Sequence, residues 1–252
     1  MTGVAHALTG RRILLTRTEE DCAEWAARIA QVGAEPVLLP CIRCEPIDTP
    51  ELRAQLRAAA HEADWLIFTS ARGVAAFTAL QDARPDDRLT KRNRVAVVGF
   101  ATAEAARAAL GRVDLIGGGT AASLAEALVG QAEIGAHSRV LIAVAENAGD
   151  ILRRTLRAAG ASCARFDVYR TLPAPPRVRK TALSTLGADN IVLASPSAVT
   201  GFVHQVDVDT QCAIYTIGPS TTAAARAQGL SVTAEAREPS LEGVLEAMQW
   251  RN

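Results

Sequence analysis

The sequence predicts an α/β protein of two similar three-layer α/β/α domains, each built on a parallel sheet, and three observations predict it. The first is an internal duplication. Arg12 to Pro46 (RILLTRTEEDCAEWAARIAQVGAEPVLLPCIRCEP) is echoed by Arg139 to Pro173 (RVLIAVAENAGDILRRTLRAAGASCARFDVYRTLP), with the apolar run, the helix and its closing Gly in the same order. Asp64 to Phe77 (DWLIFTSARGVAAF) returns as Asp189 to Phe202 (DNIVLASPSAVTGF), and Val95 to Gly111 returns as Ile214 to Gly229. The second is the alternation of short Val/Ile/Leu runs with Ala-rich helical stretches, the pattern of strands buried on both faces and joined by crossover helices. The third is a pair of extended stretches, one in each copy, that carry prolines.

Taken in order, the candidate strands are Ile13 to Thr16, Trp65 to Thr69, Val95 to Val98, Val140 to Val144, Ile191 to Ala194 and Ile214 to Ile217. Each is followed by a break and then a helix. In the first helix, Thr18 followed by Asp21 reads as a capping box. Cys22, Trp25, Ala26, Ile29 and Val32 fall on one face, and Gly33 closes the last turn. Such a helix packs against a sheet. Further on, Ser123, Leu124 and Leu128 match Ser240, Leu241 and Leu245 at a constant offset, so the helix after residue 120 belongs to the repeat.

Pro36 to Pro46 and Ser162 to Pro173 are the extended stretches, and their prolines place them at sheet edges or in connections. Running side by side they make a two-stranded β linker that the chain crosses twice. One domain then comprises residues 1–40 with 172–252, the other residues 45–168, and the linker strands are 40–46 and 166–173. Each domain is of Rossmann or flavodoxin type. The repeat of about 125 residues suits the usual domain size, and two lobes facing a cleft put function in that cleft.

Composition narrows the function. Across 252 residues, 27 basic side chains balance 27 acidic ones, so the chain lacks the basic footprint of sequence-independent nucleic-acid binding. No apolar run approaches a membrane span and the first ten residues do not read as a leader, so the expectation is a cytoplasmic protein without membrane contact. Five scattered cysteines argue against a disulfide framework. Cys41 and Cys44 form a CxxC, but His6, His61, His137 and His204 lie far apart in sequence and no metal site is expected.

Ligands of doubly wound sheets bind beyond the carboxyl ends of the strands, where loops lead into helix N-termini. Those loops are Thr16-Arg17-Thr18, Thr69 to Gly73, Gly99 to Thr102, Ala145 to Asn147, Ser195-Pro196-Ser197 and Gly218 to Thr221. Small hydroxyl residues and Gly dominate them, offering backbone N–H and short O–H groups to an anion. Catalytic carboxylate pairs and Ser/His/Asp or Cys/His sets are absent from these loops. Any one Ser or Thr here is also a helix cap, so the reading rests on their shared position. Gly117 to Gly119 precedes neither a Walker lysine nor a GxGxxG spacing, and reads as a flexible loop. Tyr169, in the second extended stretch, either donates a proton or packs its ring.

With these segments in order, the chain resembles the uroporphyrinogen-III synthase family. The carrying features are GRRILLTR, ADWLIFTSARGV, VAVVGFATA, ASCARFDVYRT, NIVLASPSAV and IYTIGPSTTAAARAQG, spanning about residues 10 to 248. The resemblance implies cofactor-free cyclisation of the linear tetrapyrrole hydroxymethylbilane to uroporphyrinogen III, with loss of water and inversion of the last pyrrole ring. It implies a monomer acting on this polycarboxylate, with transient contact with the enzyme of the preceding step. The family's linker tyrosine falls on Tyr169, as proton donor to the leaving hydroxyl. Substrate contacts fall on Thr102 and Thr221, on the strand-end serines Ser70 and Ser195 with nearby Ser197, and on Arg17, which either pairs with a substrate carboxylate or forms a salt bridge inside its own lobe. Arg72 stands where many members have Asn, and Thr222 where Ala is common. The rival reading is a noncatalytic two-lobed anion-binding or synthase-like regulatory protein.

Overall fold

The computed structural model describes residues 8–81, 92–131 and 134–249. His6, named above, lies outside these ranges. The chain separates into two compact units, one running to Cys44 and resuming at Thr171, the other from Glu45 to Arg170.

The first unit opens with β1 (Arg12–Leu15), α1 (Glu19–Gln31) and β2 (Glu35–Leu38), and β3 (Ile42–Pro46) leads out of it. The second unit follows with α2 (Pro50–Glu62), β4 (Trp65–Phe68), α3 (Ala71–Leu80), β5 (Arg94–Val97), α4 (Phe100–Leu110), β6 (Leu115–Ile116), α5 (Ala121–Gly130), β7 (Arg139–Ala145) and α6 (Ile151–Ala158). The chain returns along β8 (Ser162–Pro173). It completes the first unit with β9 (Thr181–Ala182), α7 (Leu183–Leu186), β10 (Asn190–Leu193), α8 (Pro196–Gln205), β11 (Val206–Asp207), β12 (Ala213–Thr216), α9 (Pro219–Ala227), β13 (Val232–Glu235) and α10 (Leu241–Gln249).

The first unit's main sheet has the order β13-β12-β10-β1-β2, and its neighbours pair in parallel. The second unit's sheet has the order β3-β8-β7-β4-β5-β6, parallel from β8 to β6. The hydrogen bonds Ala174 N–H to Cys41 C=O and Ile47 N–H to Val168 C=O bracket β3 and β8, whose numbering runs oppositely, so this pair is antiparallel. The duplication is visible in one repeated device. Asp64 accepts the Arg139 N–H at the start of β7, and Asp189 accepts the Arg12 N–H at the start of β1, each at 2.8 Å.

The predicted strands β1, β4, β5, β7, β10 and β12 are present, each within a residue or so of the expected limits. The elements with no apolar run in the sequence sit at sheet edges. β2, β6 and β13 are edge strands, and an edge needs no continuous apolar run because one side meets solvent or a loop. Pro36 lies within edge strand β2, as its missing N–H requires. The stretch Ser162 to Pro173 takes its two neighbours in turn, pairing with β7 from Ser162 to Tyr169 and lying beside β3 in its last residues. Its only proline is its last residue, so the ladder loses no donor along the way.

Burial on both faces gives each unit three layers. In the second unit, Leu66, Phe68, Val97, Leu141 and Ala143 meet Leu56 of α2, Val74 and Phe77 of α3, and Ala103 and Ala106 of α4. The Phe68 and Phe77 rings meet edge to face at 5.3 Å. On the other face, Trp65, Ile67, Ile142 and Val144 meet Leu124 and Leu128 of α5 and Leu152 and Leu156 of α6. In the first unit, Ile13, Leu15 and Val192 pack under Cys22, Trp25 and Ile29 of α1 and Val244 and Leu245 of α10. Leu14, Ile191 and Leu193 pack under Val199 and Phe202 of α8 and Ala225 of α9. Each buried Leu, Ile or Phe contributes about 1.5–3 kcal/mol.

The linker strands are anchored by α8. Gln205, buried, donates to the Pro40 carbonyl at 3.0 Å, and His204 Nδ1 lies 3.0 Å from the Ala174 carbonyl. One turn back, Gly201 lies so close to the Cys41–Ala174 hydrogen bond that a Cβ there would sit 1.8 Å from the Cys41 oxygen. Both obstructing groups are backbone. Gly201→Ala should therefore destabilise the protein by at least the roughly 1–3 kcal/mol usual for overpacking, lowering the melting temperature by about 5 °C or more. A thermal melt unchanged from wild type would show that the linker yields.

Cys22 and Cys41 are fully buried in the first unit's core. Burial pushes the Cys22 thiol up to about 11 and the Cys41 thiol up to about 12, from an ordinary 9.0. The unfolded thiols ionise first, so the stability present below pH 9 is lost as the pH rises from 9 toward 11–12. Melting curves between about pH 7 and pH 11 should fall more steeply above pH 9 for wild type than for a Cys22→Ala, Cys41→Ala variant. Equal slopes would assign the alkaline loss to other groups.

Candidate functional site

Parallel pairing brings every strand-to-helix turn of a sheet to the same edge. In the second unit that edge carries Ser70 after β4, Gly99 to Thr102 after β5, Glu146 and Asn147 after β7, and Tyr169 late in β8. Register explains which of them meet. Val97, Phe68, Ala143 and Phe166 lie in one row across four strands. Ser70 and Tyr169 lie just beyond that row, and their hydroxyl oxygens are 3.0 Å apart.

Regular alternation would not put Tyr169 there. Between Val144 and Ala145 the β7–β8 register advances by two residues on β8, from Asp167 to Tyr169, so Val168 is an extra residue. The bulge turns Tyr169 onto the face that already holds Phe166 and Val168, and its ring packs on the same apolar cluster. Arg165, oriented to the other side, binds Asp167 and the carbonyls of Ala145, Glu146 and Ala148, holding the turn after β7.

Ser70 is the N-cap of α3, in extended backbone, and its oxygen accepts the Gly73 N–H at 3.0 Å. Gly73 lets the helix come this close. A Cβ at that position would lie 3.1 Å from the Ala143 carbonyl and 3.3 Å from the Ser70 hydroxyl. Thr102 is the third residue of α4, after the Gly99 cap, and is 5% exposed. Phe100, two residues earlier, is 79% exposed at the same edge. No pattern in the sequence distinguishes it from a core phenylalanine. The Gly117 to Gly119 triplet, expected to be flexible, is bonded in place, its Gly117 and Gly119 amides reaching the Val97 and Val98 carbonyls at 2.8 Å.

The first unit has a corresponding edge. Ser195 caps α8 and accepts the Ala198 N–H at 3.0 Å, repeating Ser70. Ser197 follows in the first turn of the same helix. Thr221, the third residue of α9 after the Gly218 cap, repeats Thr102 and is 1% exposed. Thr222 bonds to Thr216, to the Gly218 carbonyl and to Glu235, so it pins the turn that carries the buried Thr221. Sequence reading passed over this hydroxyl network because its partners come from three separate elements. Arg17 pairs with Asp21 at 3.0 Å and stacks on Trp25 at 4.4 Å, so the salt bridge within its own unit is present. Thr18 caps α1 through the Asp21 N–H.

Each edge thus offers helix N-termini and hydroxyls rather than a cluster of acids and bases, an arrangement suited to holding anions. Among the described residues no group of three or more His, Cys, Asp or Glu could hold a metal ion, and no helix is long and apolar enough to cross a membrane. Of the CxxC pair, Cys41 Sγ lies 3.1 Å from the Leu39 carbonyl and Cys44 Sγ lies 3.6 Å from Thr171 Oγ1.

Comparison with known proteins agrees with this architecture. A family profile described as "Uroporphyrinogen-III synthase HemD" matches residues 23–246. The chain is 30% identical over 202 residues to the porphyrin biosynthesis protein HemD of Ruminiclostridium josui, covering 78% of this chain and 39% of that protein, so it spans well under half of that relative's length. It is 28% identical over 258 aligned positions to the uroporphyrinogen-III synthase of Synechococcus elongatus, covering 96% of each. Among solved structures it is similar in fold to the uroporphyrinogen-III synthetase of Helicobacter pylori 26695, with a TM-score of 0.59 and 16% identity over 94% of this chain and 97% of that one. A mutant uroporphyrinogen III synthase of Thermus thermophilus matches with a TM-score of 0.55 and 18% identity, over 96% and 98%.

Proposed function

Because the chain belongs to the uroporphyrinogen-III synthase family, we propose that it is a cyclising lyase that converts hydroxymethylbilane to uroporphyrinogen III, with Tyr169 as the proton donor. The observation that carries the assignment of Tyr169 is its hydroxyl at the carboxyl edge of the second sheet, fixed by the β8 bulge and 3.0 Å from Ser70. The C–O bond of the hydroxymethyl group breaks, the oxygen takes the Tyr169 proton and leaves as water, and the pyrrole nitrogen's electron pair stabilises the azafulvene. Ring D then attacks through its substituted carbon, and the spiro intermediate fragments and closes.

The substrate supplies most of this reactivity, and closure without an enzyme yields the unflipped isomer. The protein's part is orientation with modest acid assistance, and the scheme calls on no cofactor. Thr102 in one unit and Ser195, Ser197 and Thr221 in the other are the proposed carboxylate contacts. Each stands in or beside the first turn of a helix, where hydroxyls, N–H groups and the helix dipole favour negative charge. Arg17 is the proposed cationic contact, shared with Asp21. We place the reaction in the cytoplasm, in a monomer that meets the enzyme of the preceding step transiently. All five cysteines are free thiols, which suits a reducing compartment.

The test is incubation with freshly made hydroxymethylbilane, then oxidation and chromatographic separation of the isomers. A large excess of the type III isomer is expected. Type I at the rate of the protein-free control would favour a noncatalytic anion-binding protein. Tyr169→Phe should slow turnover about 100-fold, at the low end of the general-acid range, without abolishing it. Complete loss in a folded variant would contradict a substrate that drives its own ionisation.

A further inference from the structure

Its position at a strand end makes Ser70 a candidate substrate contact, but its surroundings point to a different role. We propose that Ser70 is a positioning residue that acts through Tyr169, donating its hydroxyl proton to the phenolic oxygen so that the Tyr169 proton points outward to the departing hydroxyl. This deepens the function proposed above and rests on it.

A hydroxyl has one hydrogen to give and two lone pairs with which to accept. Ser70 Oγ already accepts the Gly73 N–H at 3.0 Å, and the Tyr169 oxygen lies 3.0 Å from it, a separation that either hydroxyl can bridge as donor. If Tyr169 donated to Ser70, its one proton would be held inside the protein and could not reach a substrate. The opposite polarity leaves that proton available. It also aligns Gly73 N–H, Ser70 O–H and Tyr169 O–H head to tail, beginning at the positive end of α3, and chains of this kind strengthen one another.

The same polarity serves the step itself. When the C–O bond breaks and water departs with the Tyr169 proton, the phenolate oxygen keeps the Ser70 hydrogen bond, which is now charge-assisted and stronger. The proton shed from ring D's unsubstituted α-carbon, once that carbon has attacked in the final closure, restores the phenol, so the cycle balances. Both oxygens are held by backbone constraints, Ser70 as helix cap and Tyr169 by the bulge. Donors fixed in this way need no reorganisation during the reaction.

A double-mutant cycle decides the matter. In steady-state turnover of hydroxymethylbilane, Ser70→Ala should lower kcat about tenfold, the effect of losing one hydrogen bond to a developing charge, with KM changed less than about threefold. In the Tyr169→Phe background the same substitution should lower kcat no further. Ser70→Thr keeps the hydroxyl and the cap and should restore most of the rate. Ser70→Gly leaves an N-cap nearly as favourable as serine, and it should match Ser70→Ala if that variant melts early. Additive losses, a raised KM with unchanged kcat, or failure of Ser70→Thr to restore the rate would each overturn the proposal. Absence of type III product from the wild-type protein would instead overturn the function on which it rests.

Discussion

Strand β4 has all four of its side chains buried, and β7 is buried along nearly its whole length. Strands hidden on both faces and paired in parallel must be joined by helices that cross over the sheet, and each crossing returns the chain to the same end. That constraint arranges everything else. It gathers Ser70, Thr102 and Tyr169 on one edge of the second sheet, and Ser195, Ser197 and Thr221 on one edge of the first, although the segments that carry them are separated in sequence. Because turns at that edge lead into helices, the groups presented are helix N-termini with their caps, which suit an anion better than acid–base chemistry.

Within this shared plan the two copies differ at the position of the proposed proton donor. Ser70 and Ser195 make the same cap with the same geometry. The position equivalent to Tyr169 in the first copy is Ile42, which has no hydroxyl. Proton donation is therefore proposed in one unit alone, and the divergence coincides with the bulge in β8. Regular strand periodicity would have turned a residue at 169 away from the cluster that Phe166 and Val168 join. One inserted residue makes the tyrosine available to the serine.

The linker is set by a comparably small feature. The chain passes through the segments around Cys41 and Ala174, whose mutual hydrogen bond lies against α8 at a residue without a side chain. Gln205 and His204 hold the neighbouring carbonyls from the same helix. The helix whose first turn offers Ser195 and Ser197 is therefore also the element that fixes both linker strands in the first unit.

The sequence by itself determined the fold class, the duplication, the six central strands and the loops that carry the candidate residues. Apolar runs and helix caps are local signals, and the parallel architecture follows from them without knowledge of contacts. The edge strands β6 and β13, the bulge in β8, the Thr216–Thr222–Glu235 network and the pairing of Ser70 with Tyr169 were decided only in three dimensions. Ser70 and Tyr169 stand 99 residues apart. Their contact depends on the register of β4, β7 and β8 and on one bulged residue, and register is a property of strand pairing that no single segment encodes.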